Sequence, residues 1–206
     1  MTEDPRERPR LLIVAGPNGA GKTTITDAGL AHKWFQGCEY INPDVIAQQE
    51  FGNWNDPESV LKAARLATER REACLRENRS VAFETVFSTR EKVEFVNRGI
   101  EAGFFVRLFF VGTDGPEINA SRVARRMLQG GHEVPLQKIL NRWSRSILSC
   151  AEVARRVHRL YIYDNSLEDA PARLILRASS GTIVRSYAPG RDWMNPIVAE
   201  LSTSIG

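Results

Sequence analysis

The chain is 206 residues long, 42% hydrophobic and 26% charged, a composition that excludes a wholly disordered protein. At roughly 150 residues per domain, the length predicts one domain, or one domain carrying an insertion. The net charge of +3 is too small to imply nucleic-acid binding by itself, and no apolar run approaches the roughly 20 residues of a membrane helix. Cys38, Cys74 and Cys150 are odd in number and far apart, which points to a reduced, cytoplasmic setting.

Residues 1–10 are polar and interrupted by proline. They are expected to be an unstructured lead-in, too charged for a secretory signal, with a single domain over 11–206. Leu11–Ala15 is a short apolar run ending at glycine, the pattern of a buried parallel strand. A Gly-rich turn and a helix beginning near Lys22 follow. Glu39–Ile41 is a second strand, and Asn42 with Pro43 makes a helix start, cap then first turn. Asp56–Arg76 is predicted as a long helix with Val60, Ala64, Ala67 and Cys74 along one face. Ser80–Thr85 is a third strand, Arg90–Ala102 a helix and Phe104–Val111 a fourth strand. Helices over Pro116–Gln129 and Val134–Val157 are separated by Gly130-Gly131-His132. In the second, Leu136, Leu140, Trp143, Ile147, Ala151 and Ala154 recur at helical spacing. Leu160–Tyr163 is a fifth strand, Leu174–Arg177 and Thr182–Tyr187 a hairpin, and Trp193–Leu201 a closing helix. Strands alternating with helices predict an α/β fold with a mostly parallel sheet covered by helices on both faces. Ligands bind such sheets beyond the carboxyl ends of the strands.

Three polar segments fall at those ends. Gly16-Pro17-Asn18-Gly19-Ala20-Gly21-Lys22-Thr23 fits GxxxxGK[ST] between a strand and a helix. Its glycines let successive N–H groups point inward as an anion nest at a helix N-terminus. This predicts nucleoside triphosphate binding, with Lys22 on the outer phosphates, Thr23 on Mg²⁺ and Thr24 near the innermost phosphate. The chain lacks both a guanine-specifying Asn/Thr-Lys-x-Asp and an adjacent Asp-Glu after an apolar strand. A P-loop NTPase fold of the kinase type is what remains. Asp44, after the second strand, is placed to orient an acceptor hydroxyl and take its proton. The competing reading is an acid in a first helical turn, stabilised by the helix dipole. Glu84, after the third strand, has three open readings: a grip on substrate hydroxyls, on a Mg²⁺-bound water, or a structural ion pair.

Charge is unevenly spread. Between Arg107 and Arg159 lie ten cations and four acids, a local excess of six, so the rest of the chain is negative by three. Arg122, Arg125 and Arg126 share one helical face, as do Lys138, Arg142 and Arg145 on the next helix. Two helices flanking Gly-Gly form an Arg-rich lid, around 116–146, that could close over phosphates, with Arg125 among the nucleotide contacts. Two or three of the six cations are expected to reach them. His132 is either a hinge residue or a substrate contact, and Trp143 is read as core.

Taken together, these segments resemble the zeta-toxin family of P-loop kinases. The matching stretches are LLIVAGPNGAGKTT at 11–24, INPDVIA at 41–47, FETVFST at 83–89, RVARRMLQGGHEVP at 122–135 and YDNS at 163–166. The resemblance implies a kinase using ATP and Mg²⁺ to phosphorylate the 3′-hydroxyl of the amino sugar in UDP-N-acetylglucosamine. It also raises a toxin–antitoxin role with an antitoxin protein as partner. It implies Asp44 as general base, Glu84 and Thr85 as substrate residues, Arg126 and Arg142 as lid arginines, and Asn165, with Asp164 and Ser166, near the adenine end. The alternatives are another nucleotide, sugar or antibiotic as acceptor, a nucleic-acid-linked NTPase using the basic lid, or a nucleotide-binding protein without transfer activity.

Overall fold

Strand β1 (Arg10–Ala15) alternates its side chains between two cores, and both are apolar. Leu11, Ile13 and Ala15 enter one, Leu12 and Val14 the other. A strand buried on both faces reads as a continuous hydrophobic run and sits at the middle of a sheet. The computed structural model describes residues 8–52, 56–128, 134–168 and 170–203. In it β2 (Glu39–Ile41), β3 (Val81–Thr85), β4 (Phe105–Gly112) and β5 (Arg159–Asp164) run parallel to β1. The antiparallel strands β6 (Arg173–Ser179) and β7 (Thr182–Ser186) follow, and β8 (Ser202–Thr203) pairs parallel to β7. The strand order is β2-β3-β1-β4-β5-β6-β7-β8.

Helices cover the two faces unequally. The larger core lies under α2 (Pro43–Phe51), α3 (Pro57–Arg76), α4 (Arg90–Glu101), α6 (Leu136–Ala154) and the short α7 (Asn195–Ala199). The smaller one lies under α1 (Lys22–Leu30) and the turn that follows, where Trp34 and Phe35 pack on Phe109. Helix α5 (Pro116–Leu128) packs beside α6. Asn42 caps α2 as expected, its side chain accepting the Asp44 N–H at 2.9 Å with Pro43 in the first turn. Asp56 caps α3 through the Ser59 N–H at 2.8 Å. No helix among the described residues is long and apolar enough to cross a membrane.

Several expectations change. The lead-in over 1–10 ends sooner, because Arg10 opens β1 and the Pro9 carbonyl accepts the Phe105 N–H at 2.7 Å; residues 1–7 lie outside the described residues. The buried stripe of α3 is Ala63, Ala67, Arg71, Cys74 and Leu75 rather than one through Ala64. Ala64 instead opens onto a cleft. In α6, Leu136 is exposed, and Ile139 and Cys150 join Ile147 and Ala151 in the interior. Spacing alone could not separate these neighbouring faces, since residues three and four apart share a side. Trp143 is half-buried against the larger core, and its Nε1 donates to the Thr113 carbonyl at 3.3 Å. The Gly130-Gly131 hinge and His132 lie outside the described residues. The closing helix is a 3₁₀ turn (Asp192–Met194) leading into α7, and β8 was not foreseen.

Trp193 ties this tail to the sheet. It is 5% exposed, and its ring lies against Phe110 and over Gly112, where a Cβ would stand 2.3 Å from the indole. Trp193→Ala should therefore cost about 3–5 kcal/mol of stability, read as a lower urea midpoint. A change below 1 kcal/mol would mean the tail is not part of the cooperative fold.

Candidate active site

The loops leaving β1, β2 and β3 meet at the carboxyl edge of the sheet. The loop from Gly16 to Gly21 contributes almost no side chains of its own, so its shape is imposed from outside. The Gly16 N–H donates to the Thr85 carbonyl at 3.3 Å. Asn119, buried on α5, donates from Nδ2 to the Asn18 carbonyl at 2.5 Å, and Asn165 donates from Nδ2 to the Ala20 carbonyl at 2.8 Å. The neighbours approach so closely that side chains are excluded. A Cβ on Gly16 would lie 2.2 Å from the Val111 carbonyl oxygen, and one on Gly19, at φ +78°, would lie 2.5 Å from that of Asn119. Gly21 is the residue before α1 and has no capping side chain. The first N–H groups of α1 are thus left for a ligand, the arrangement that binds phosphate at helix N-termini.

A cavity of about 370 Å³ opens over this loop, lined by Lys22, Thr23 and Thr24 on one side and Arg122, Arg125 and Arg126 on the other. Lys22 Nζ donates to the Pro17 carbonyl at 3.0 Å. Burial lowers its pKa to about 8; Arg126 and Arg142 push the same way, and Glu84 opposes them. A lysine beside two arginines and a desolvating wall, with one carboxylate near it, is a crowded positive site.

The carboxylates sit beside this cavity in different settings. Glu84 ends β3 and is held from both sides: Tyr40 OH donates to Oε1 at 3.2 Å, and Thr23 Oγ1 to Oε2 at 3.4 Å. Asn42 Nδ2 donates to the Tyr40 hydroxyl at 3.1 Å, so the caps of β2 and β3 form one chain of hydrogen bonds. Burial and the adjacent Glu84 carboxylate push the Tyr40 phenol well above its ordinary pKa, so it stays protonated as a donor. Asp44, in the first turn of α2, is exposed and faces a shallow cavity with Val45, Gln48 and Gln49. Its neighbour Pro43 lines a different cleft, of about 450 Å³, with Glu84, Thr85 and Arg142. Asp44 itself does not line the cleft that holds Glu84 and Thr85. The Thr85 hydroxyl is occupied in part, accepting the Phe87 N–H at 3.1 Å. That bond holds Phe87 at φ 58°, an uncommon conformation for an aromatic residue. Ser146 Oγ donates to the Val86 carbonyl at 2.7 Å and pins the same turn. Non-glycine residues in this region concentrate at functional sites.

The basic segment separates into distinct groups. Arg142, half-buried, donates to Asn18 Oδ1 at 3.3 Å, and Arg126 is exposed beside Lys22. Arg125 borders the cavity but pairs with Glu168. Arg122 donates to the carbonyls of Asn165 at 2.8 Å and Leu167 at 3.0 Å, and so orders the loop after β5. Lys138 and Arg145 are exposed. Four cations of the segment do not belong to the site. Arg107 lies over the rings of Trp34 and Phe105, Arg155 and Arg156 meet Glu200 and Glu101 at 3.5 and 3.1 Å, and Arg159 bonds Ser179. The local excess of positive charge is therefore only partly a phosphate site. Asp164 is engaged by Arg191 at 3.2 Å and by Ser166, away from the phosphate loop.

Sequence reading missed Tyr40 and Asn119. Tyr40 alternates with Asn42 at a strand end, which could have placed both on one side. Asn119 precedes Arg122 and Arg126 by three and seven residues, on the same helical face. Among the described residues, no group of three or more His, Cys, Asp or Glu is arranged to hold a metal ion.

The sequence model for the Zeta toxin family matches residues 1–169. The chain belongs to that family. No curated protein sequence matches it. Among solved structures, this Zeta toxin family member is similar to the AvrRxo1-ORF1:AvrRxo1-ORF2 complex with sulphate ions, at 17% identity and TM-score 0.65, over 95% of this chain and 64% of that one. The same complex with ATP gives 19% identity and TM-score 0.63, over 84% and 59%. The PezAT chromosomal toxin–antitoxin system of Streptococcus pneumoniae gives 20% identity and TM-score 0.57, over 81% and 70%. The chain thus spans less than two thirds of the AvrRxo1 chains. At these identities the likeness establishes the fold, a P-loop kinase-like α/β sheet.

The electrostatics of Lys22 can be read directly. In the ligand-free protein its amine should lose its proton as pH rises through about 8, well below the ordinary 10.5. Arg126→Gln removes a repelling charge and should move that titration upward. Side-chain nitrogen NMR across pH 7 to 11 reads both; titration near 10.5 in the unmodified chain would contradict the crowding.

Proposed function

We propose that this protein is an ATP-dependent kinase that transfers the γ-phosphate to a hydroxyl of a small molecule, with a UDP-N-acetylamino sugar as the preferred acceptor. The observation that carries the reading is the convergence on one glycine-shaped loop of free helix N–H groups, a desolvated Lys22 and Arg126 and Arg142. That arrangement matches a polyphosphate, whose charge it would stabilise as the bond to the leaving group lengthens. The ATP named for one AvrRxo1 structure supports the choice of nucleotide.

The roles follow from position. Backbone N–H groups of residues 16–21 and the start of α1 cradle the β- and γ-phosphates, and Lys22 leaves the Pro17 carbonyl for them. Thr24 and Arg125 border the nucleotide, and Asn165, whose side chain ties the loop after β5 to the Ala20 carbonyl, lies near its base. Thr23 and Glu84 present oxygens 3.4 Å apart, the hard donors that Mg²⁺ prefers. Bound there with the triphosphate, Mg²⁺ would neutralise charge on the transferring group. The acceptor occupies the cleft between Pro43, Thr85 and Arg142. Asp44 takes the proton of its hydroxyl, whose oxygen attacks the γ-phosphorus while the bond to ADP breaks. Because Asp44 opens onto a neighbouring cavity, the acceptor and the lid helices close toward it as they bind. The toxin–antitoxin system named for PezAT makes an inhibitory antitoxin a reasonable partner for this chain.

Lys22→Ala and Asp44→Ala should each lower transfer at least about 10²-fold. Only the first should weaken binding of a non-hydrolysable ATP analogue. Incubating the protein with labelled ATP and a panel of UDP-sugars, free sugars and nucleotides identifies the acceptor. Full turnover by Asp44→Ala on that acceptor would remove the general-base role, and ATP hydrolysis stimulated only by polynucleotide would replace the small-molecule reading.

A further inference from the structure

The sheet face on the α1 side is covered only in part. Helix cover there comes from α1 and the turn after it. Past Tyr161 the same face runs on across β6 and β7, where Arg177 is half-buried and Arg185 and Tyr187 are exposed. Five arginines stand on this face, and strand register fixes their side. Arg10 is two residues from Leu12 on β1 and points the same way, into the smaller core. Arg107 is the register partner of Leu12, and Arg159 that of Arg107. Arg177 is the register partner of Tyr161, and Arg185 that of Arg177.

Two cross-strand pairs of like charge result, Arg107 with Arg159 and Arg177 with Arg185, and such pairs destabilise a sheet. Burial lowers the Arg107 pKa; Tyr161 opposes this, and Arg159 and Arg10 push it further down. Among the described residues none of the five forms an ion pair with a carboxylate. Arg10 donates to the carbonyls of Trp34 and Gln36 at 3.1 and 2.7 Å, and Arg159 to that of His158 at 2.8 Å. The Nε groups of Arg107 and Arg177 are buried without a hydrogen-bond partner.

Rings are interleaved with these cations. The Arg107 guanidinium lies 4.6 Å from the Trp34 centroid and 4.8 Å from that of Phe105. Arg159 lies 5.6 Å from Phe105, and Arg185 4.9 Å from Tyr187. A single nucleic-acid strand presents the complementary alternation, phosphates for the cations and bases for rings and guanidinium planes. An acidic peptide or lipid headgroups would use the charges alone.

We propose that this arginine-rich sheet face binds a single-stranded nucleic acid. Arg107, Arg159, Arg177 and Arg185 take its phosphates, and bases stack on Trp34, Tyr187 and the guanidinium planes. The surface is separate from the phosphate loop: Arg107 and Arg159 lie toward the amino ends of β4 and β5, whereas Gly16–Lys22 lies beyond the carboxyl end of β1. It therefore does not depend on the kinase reading.

The test is fluorescence anisotropy with a labelled single strand of about 20 nucleotides, as RNA and as DNA. It uses the full chain with the nucleotide site filled by a non-hydrolysable ATP analogue and Mg²⁺. Binding of at least one strand should weaken as salt rises. Arg185→Gln should weaken it at least about threefold, and Arg177→Gln with Arg185→Gln at least about tenfold, with a shallower salt dependence. Analogue affinity should be unchanged. Removing one of two facing like charges should leave the urea midpoint the same or higher, whereas loss of a structural arginine would lower it. If the double variant is destabilised, Arg185→Gln and Arg185→Glu, at an exposed position, carry the comparison. No binding of either strand, or equal binding by the folded variants, overturns the proposal. Binding of phosphatidylserine vesicles or polyglutamate without oligonucleotide binding overturns it as well. A protein that binds the strand through Arg185 but phosphorylates no acceptor keeps this surface and loses the kinase reading.

Discussion

A loop that must wrap a polyanion with its backbone cannot hold its own shape, because the side chains that could brace it would occupy the ligand's place. In this protein the bracing comes from three separate parts of the chain. The strand-end carbonyl of Thr85 receives the first N–H of the loop, Asn119 on α5 holds the Asn18 carbonyl, and Asn165 after β5 holds that of Ala20. Each of these depends on β1 lying between β3 and β4 in register, with Ala15 opposite both Thr85 and Phe110. The sheet order, the burial of β1 on both faces and the close approach of Val111 to Gly16 are all parts of that one constraint.

The same geometry explains why the site is positive. Arg142 reaches Asn18 and Arg126 flanks Lys22 because α5 and α6 pack together at the carboxyl edge of the sheet. Three cations facing one desolvated space repel one another, and burial holds the Lys22 pKa down. Such a site is held in an unfavourable state by the rest of the fold until an anion enters it. Arg71 is also buried, with its carboxylate neighbours Glu72 and Glu91 turned to Arg98 and Lys92.

Much of this was legible in the residues. The strand, glycine turn and Lys22-Thr23 pair are contiguous, so the order of residues carries their meaning. The cap of α2 at Asn42 and Pro43 is equally local and holds as read. The helical pattern failed where adjacent faces compete: Ala63 rather than Ala64 is inside, and Ile139 rather than Leu136. The basic segment misled for a different reason. Its arginines are neighbours in sequence, but Arg107 and Arg159 lie toward the amino ends of β4 and β5, while Arg126 and Arg142 lie at the opposite edge with the phosphate loop.

The sequence by itself determined that a phosphate-binding loop follows a buried parallel strand, and which family the chain resembles. Both rest on short contiguous patterns whose chemistry is local. Only the tertiary structure decided which cations lie near that loop, that Tyr40 and Thr23 together hold Glu84, that Asp44 opens onto a cavity separate from the Glu84 cleft, and that Arg71 is buried beside that cleft. These are relations between residues far apart in the chain. Their energies depend on distance and desolvation, and neither exists until the sheet has brought the strand ends together.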